Sequence, residues 1–143
     1  LDFWKGVSVM ENQESIEFWL RASAKDLVDA KKAFSSKTYD YTLSLCGQAF
    51  EKATKGYTNF LSKKEGSAGS TLGSLELSKE FGPEIFDLED YNSALSYTGG
   101  SFEITQSLFN KKEAKRGIEM AEKVLTKMFT KMGRKLEDYQ DRK

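Results

Sequence analysis

The stretch "LCGQAFEKATKGYTNFL", residues 45–61, decides the fold. At helical pitch, Leu43, Leu45, Cys46, Ala49, Phe50, Ala53, Tyr57, Phe60 and Leu61 sweep an arc of about 160°. A helix resting on one neighbour needs a stripe of only about 100°, so an arc this wide touches several neighbours. The spacing predicts a central helix over residues 39–63. Ser44, Gln48, Glu51 and Lys55 follow one another at steps of 4, 3 and 4 as a narrow polar strip, with Lys52 beside it. Glu51 and Lys55 stand in the favourable i,i+4 order, worth about 0.2–0.5 kcal/mol on an exposed helix.

Upstream, "SIEFWLRASAKDLVDAKKAF" (residues 15–34) aligns Ile16, Trp19, Leu20, Ser23, Leu27, Ala30 and Phe34, with Arg21, Lys25, Asp29 and Lys32 on the far side. This predicts an amphipathic helix over about 13–35. Downstream, "KKEGSAGSTLGS" (63–74) reads as a small-residue loop, and Leu72, Leu75, Leu77 and Phe81 as a short amphipathic piece stopped by Gly82-Pro83. Asp87 is expected to cap another short helix carrying Leu88, Tyr91 and Leu95, and Gly99-Gly100 to mark a turn. Asn110 as N-cap and Glu113 three residues later resemble a capping box. They open a long helix over about 111–132, whose inner face is Ala114, Ile118, Ala121, Leu125, Met128, Phe129 and Met132, continued by Leu136. No segment alternates like a strand and no repeat is evident. The expectation is an all-α, up-and-down bundle of four to five helices over residues 13–136. Residues 1–12 are then an N-terminal arm or an expression remnant, with Met10 a candidate natural start, and 137–143 a frayed tail.

Composition narrows the chemistry. The 143 residues carry 22 basic and 22 acidic side chains, so any site for nucleic acid or an anionic surface must be a local patch. Cys46 is the single cysteine, which forbids an intrachain disulfide and points to a reducing cytoplasm. Histidine is absent, which removes His-containing triads, histidine acid–base catalysis and the usual zinc sites; no metal or cofactor is expected. No apolar run is long enough to span a bilayer.

Two stretches carry a family resemblance. W-L-x-x-A-x-x-D-L-x-x-A in the first helix (Trp19, Leu20, Ser23-Ala24, Asp26, Leu27, Ala30) is followed by C-x-Q-A-x-E-K-x-x-K in the second (Cys46, Gln48, Ala49, Glu51, Lys52, Lys55). Together with "IEMAEKVL" in the closing helix they resemble the HEPN (higher eukaryotes and prokaryotes nucleotide-binding) domains over roughly residues 13–132. The resemblance implies an up-and-down bundle, commonly dimeric. It also implies frequent partnership with a small, separately encoded nucleotidyltransferase in prokaryotic toxin–antitoxin or stress-related pairs, and nucleotide binding in many members. One branch of the family consists of metal-independent ribonucleases with an R-x4–6-H motif. This chain, lacking histidine, does not contain that motif, and Leu72 and Gly73 stand where related domains place His and Asp.

The resemblance therefore implies a non-catalytic, cytoplasmic, homodimeric binding domain that meets a nucleotidyltransferase, a nucleotide or both. The strip of Gln48, Glu51, Lys52 and Lys55 is the expected contact. An RNA-binding or ribonuclease-type toxin working through Lys and Tyr, or a purely structural dimerisation module, are the alternatives. On the last helix Arg116, Lys123, Lys127 and Arg134 recur at steps of 7, 4 and 7 as a basic stripe, a possible phosphate track. Glu119 and Glu122 interrupt it and no aromatic stacks among its members, so a solvated face is favoured over nucleic acid. Trp19, Phe34, Phe50, Tyr57 and Phe60 are expected in the core, Cys46 as an inert buried thiol, and Phe18 and Val28 at a subunit interface.

Overall fold

A computed structural model describes residues 2–65, 73–98 and 109–140, with side chains over 15–63, 73–92 and 109–140. The expected loop at 66–72 and the turn at Gly99-Gly100 lie outside the described residues, as does the side chain of Leu95. Six helices and no strand are found among the described residues: α1 (Asp2–Ser35), α2 (Tyr39–Glu65), α3 (Ser74–Phe81), α4 (Glu84–Thr98), α5 (Lys111–Lys131) and α6 (Glu137–Gln140).

Helix α2 is the centre, because its wide apolar arc is divided among three partners, α1, α4 and α5. Leu43, Leu45, Cys46, Ala49, Phe50, Ala53 and Tyr57 are buried, while Phe60 and Leu61 lie partly buried against the same core. Helix α1 supplies Ile16, Leu20, Ser23, Leu27 and Ala30, all essentially without solvent contact. The Ser23 hydroxyl donates to the Ala49 carbonyl at 2.7 Å. A hydroxyl on an otherwise apolar stripe is thus satisfied by the neighbouring helix rather than left unpaired. Each fully buried leucine or phenylalanine contributes about 1.5–3 kcal/mol relative to exposure.

Two glycines set the helix spacing. A Cβ built at Gly47 would lie 2.6 Å from the Asn92 backbone nitrogen and 2.9 Å from the Leu88 carbonyl oxygen, so α2 and α4 touch main chain to main chain. At Gly117 the added atom would meet Leu43 Cδ2 at 2.4 Å, which lets α5 close on α2.

Helix ends depart from the expected boundaries for local reasons. Helix α1 starts at Asp2 rather than near Gln13. It ends in a reverse turn with Lys37 at φ 63°, Lys37 N–H donating to Phe34 O and Thr38 N–H to Ala33 O, each at 3.0 Å. Helix α3 opens with Glu76 reaching back to the Gly73 N–H at 2.9 Å and stops at Gly82, φ 102°. Helix α4 begins directly after Pro83, so Asp87 lies inside it and does not cap it; proline preset the first turn earlier than the aspartate signal suggested. Asn110 does cap α5, its side chain accepting from Glu113 N–H at 2.8 Å. The Glu113 carboxylate, however, engages the Tyr91 hydroxyl and Arg116. The inner face of α5 is wider than the sequence suggested: Met120 and Val124 are buried and Ile118 only partly.

Helix α5 closes at Lys131 with Gly133 at φ 74°, Arg134 N–H donating to Phe129 O and Gly133 N–H to Thr130 O, both at 2.9 Å. This is the bonding pattern of a Schellman cap. The expected fraying from residue 137 is corrected by α6, whose Tyr139 packs edge-on against Phe129 with ring centroids 5.3 Å apart. Residues 141–143 lie outside the described residues. No described helix is long and apolar enough to cross a membrane.

Candidate functional site

The polar strip of α2 does not stay together. Its members spread over about 100° of the helix surface, from Glu51 at one edge to Lys52 at the other. Lys52 turns towards α1 and donates to Asp26 at 2.7 Å. Asp26 is only 8% exposed, so this ion pair lies at the wall of the core. Glu51 turns the other way, accepting from the Asn92 amide of α4 while holding Lys55 at 3.4 Å. Gln48 is occupied within the helix, donating to Ser44 Oγ at 3.1 Å.

Lys55 joins the strip to an aromatic pair. Its ammonium sits 4.7 Å from the Trp19 ring centroid, a cation–π distance. Phe18, 59% exposed, meets Trp19 edge-on at 5.1 Å. Trp19 was expected in the core and is instead partly exposed: α2 meets it at Gly56 and through the Lys55 ammonium, and Phe18 lies on its edge. Val28, paired with Phe18 in the sequence reading, is partly buried. On the other side of Glu51 and Lys55, a cleft of about 450 Å³ opens between α2, α3 and α4. Phe50 and Leu77 give it apolar walls, and Thr54, Ser74, Glu89 and Asn92 give it polar ones. Its hydroxyls are engaged: Ser74 donates to Glu89 at 2.7 Å and Thr54 to the Phe50 carbonyl at 2.9 Å.

The basic stripe is broken up by carboxylates and by the end of α5. Arg116 is held by Asp87 at 2.9 Å and Glu113 at 3.0 Å, and Lys123 by Glu84 at 2.6 Å. Lys127 lies close enough to Glu84 to lower that carboxyl, though the Lys123 hydrogen bond is the main cause. Arg134 is not on the helix at all: Gly133 ends α5, and the guanidinium turns back to Glu17 of α1 at 2.8 Å. The step of 7 from Lys127 to Arg134 therefore does not correspond to a shared face.

Tyrosines tie further pairs of elements together. Tyr57 donates to Glu80 at 2.6 Å and Tyr139 to Glu17 at 2.8 Å, as Tyr91 does to Glu113. Burial first, and the adjoining carboxylate second, push all three phenols above their ordinary range, so they remain neutral donors. Burial pushes the Cys46 thiol up to about 12, with the Glu122 charge adding to it. Among the described residues no group of three or more His, Cys, Asp or Glu side chains is placed to hold a metal ion.

Sequence reasoning missed Asp26 and Asn92 as the partners of Lys52 and Glu51. A signal existed for Asp26: it falls between Ser23 and Ala30 on the buried side of α1, where a carboxylate requires a cation across the interface. For Asn92 there was none, since the α2–α4 register depends on Gly47.

The residues that carried the sequence resemblance thus meet in space, with Ser23 on Ala49, Asp26 on Lys52 and Trp19 under Lys55. No curated protein and no solved structure matches the chain. A family model described as HEPN domain matches residues 16–132. That span takes in the four longest helices from the stripe of α1 to the end of α5, and the chain belongs to the HEPN domain family.

Proposed function

We propose that the chain is a non-catalytic binding domain whose partner is a protein, a separately encoded nucleotidyltransferase subunit. The contact face is where Phe18, Trp19, Lys55 and Glu51 adjoin. The observation that carries this reading is the Phe18–Trp19–Lys55 arrangement: an exposed aromatic, a second ring beneath a cation, and a carboxylate alongside. An aromatic anchor rimmed by charges suits a protein surface, where such residues dominate binding energy. A free nucleotide is supported less well. Its phosphates need several free cations, whereas Lys52 is committed to Asp26 at the core wall, which leaves only Lys55 of the strip, loosely shared with Glu51. Homodimerisation of the domain is compatible with this face only if Phe18 remains accessible.

The test is calorimetry of the purified chain with a nucleotidyltransferase encoded beside its gene, and separately with ATP. Binding of the protein, weakened by about thirtyfold or more in Trp19→Ala, is the expected result. Absence of a complex overturns the reading. ATP binding that disappears in Lys55→Ala would replace it with the nucleotide reading.

A further inference from the structure

The segment after α5 has a construction of its own. Gly133 turns the chain at φ 74°, and no atom lies within 4 Å of where its Cβ would stand, so that side of the turn is open. Beyond it, one carboxylate holds the segment to α1. Glu17 Oε1 accepts from Arg134 Nε and Glu17 Oε2 from the Tyr139 hydroxyl, both at 2.8 Å. Arg134 and Tyr139 are separated by one turn of α6 and its lead-in, so the two donors flank Leu136, which is 8% exposed. Lys135, Glu137 and Asp138 face solvent.

Apart from Leu136 and the Tyr139 ring on Phe129, the segment contributes little apolar burial. Its free energy of detachment is therefore a small part of the whole, set by Leu136, the Tyr139 ring and the two hydrogen bonds to Glu17. The segment also forms one wall of a solvent-open groove of about 420 Å³, where Leu136 and Gln140 face Thr126, Thr130 and the Lys31–Glu122 ion pair. With the segment attached, the Gln140 side-chain nitrogen is buried with no hydrogen-bond partner among the described residues. An unsatisfied donor counts against the attached state and is relieved on opening, when water reaches the amide.

We propose that residues 133–140 form a hinged strap, turning at Gly133 and latched to α1 by Glu17, whose release removes one wall of the open groove beside α1 and α5 while the bundle stays folded. The latch is electrostatically sound. Burial raises the Glu17 carboxyl, but hydrogen bonds from Tyr139 and Arg134, and the charges of Arg134 and Arg21, together hold it below the usual carboxylate range. Ionised, Glu17 accepts from both donors at once; as a neutral amide in its place, it retains one acceptor and loses the charge that holds Arg134.

Hydrogen exchange on the full chain tests this. In the wild type, backbone amides of 136–140 should exchange through a local opening that is nearly independent of added urea, whereas amides of α2 and α5 should follow the urea dependence of global unfolding. Glu17→Gln should speed exchange of those strap amides by about tenfold or more and hasten tryptic cleavage after Arg134 and Lys135, with α2 protection unchanged. Tyr139→Phe should do the same to a lesser degree and keeps the ring on Phe129. The proposal is overturned if the wild-type strap exchanges only with global unfolding. It is equally overturned if neither variant changes strap exchange, or if both lower protection in α2 to the same extent. None of these outcomes depends on the nucleotidyltransferase.

Discussion

Replacing Lys52 by alanine separates a scaffold role from a ligand role for one of the two lysines in the stretch that carries the family resemblance. In the folded protein its ammonium lies 2.7 Å from Asp26, whose side chain is 11% exposed, while the lysine side chain itself is 30% exposed. Truncating one partner of a fully buried pair costs about 3–5 kcal/mol, because the surviving charge is left without compensation. Here water reaches the lysine end of the pair, so a loss of about 2 kcal/mol is expected for Lys52→Ala. Asp26→Asn, which removes the charge and keeps a polar side chain at the same position, should cost about 1 kcal/mol. The double variant Asp26→Leu with Lys52→Met removes both charges and keeps the stems packed, and should lie within about 1 kcal/mol of wild type. Urea denaturation of these proteins, together with Asp26→Asn/Lys52→Ala to close a double-mutant cycle on the two single variants, gives the coupling directly. A Lys52→Ala protein as stable as wild type, or a cycle with no coupling, would refute the reasoning and free Lys52 to be a ligand contact. Until that cycle is measured, lost binding in a Lys52 variant does not by itself identify a contact, since the α1–α2 joint changes as well.

Further consequences follow from the same coordinates. Gly47→Ala should destabilise by about 2–3 kcal/mol, since its Cβ meets α4 backbone that cannot rotate away. Gly56→Ala, 3.1 Å from a movable Leu20 methyl, should be near neutral as helix propensity offsets crowding; equal urea midpoints for the two would contradict this. Lys37→Gly should raise stability by about 0.5–1 kcal/mol, because an exposed residue at φ 63° is relieved of left-handed strain; a lower melting temperature would count against the turn described. Cys46 should resist a thiol reagent at neutral pH in the native protein and react at once in denaturant. Rapid native labelling would show that the thiol is neither buried nor held to about 12.

The bundle was legible because its main signal is periodic. The wide arc of α2 and the stripe of α1 each named residues that the structure buries, and the small residues Ser23, Ala49 and Gly117 mark where helices close on one another. Helix ends were less legible. Asp87 looked like a cap because an acid before an apolar run usually is one; Pro83 had already started the helix. "KMGRK" held the information that α5 stops, in a glycine at the position of a left-handed cap, but the periodic basic residues on both sides masked it. The polar strip was read correctly as a seam and incompletely as a unit. Helical periodicity assigns an azimuth, and a lysine stem of four carbons can leave that azimuth for whichever carboxylate the neighbouring helix offers. Trp19 erred in the opposite sense: its azimuth is towards α2, but at its level α2 offers Gly56 and the exposed Lys55 in place of a bulky apolar side chain.

These pairings bear on what family membership tells about activity. Ser23, Asp26, Ala49 and Lys52 are among the residues that made the resemblance recognisable, and all are spent on joining α1 to α2. A sequence signature made of such residues reports a helical joint, and a joint can persist while the surfaces around it change chemistry. The determinants of binding must then be sought where side chains are neither buried nor internally neutralised. Among the described residues of α1 and α2, one such place is the face of Phe18, Trp19 and the outer edge of Lys55, where the cation is shared between an indole and Glu51. A partner that supplies its own carboxylate or aromatic surface can draw Lys55 away from Glu51 at low cost, since an exposed lysine–glutamate pair holds only about 0–1 kcal/mol. Lys52 offers no such exchange, because its removal from Asp26 strands a carboxylate at the core wall.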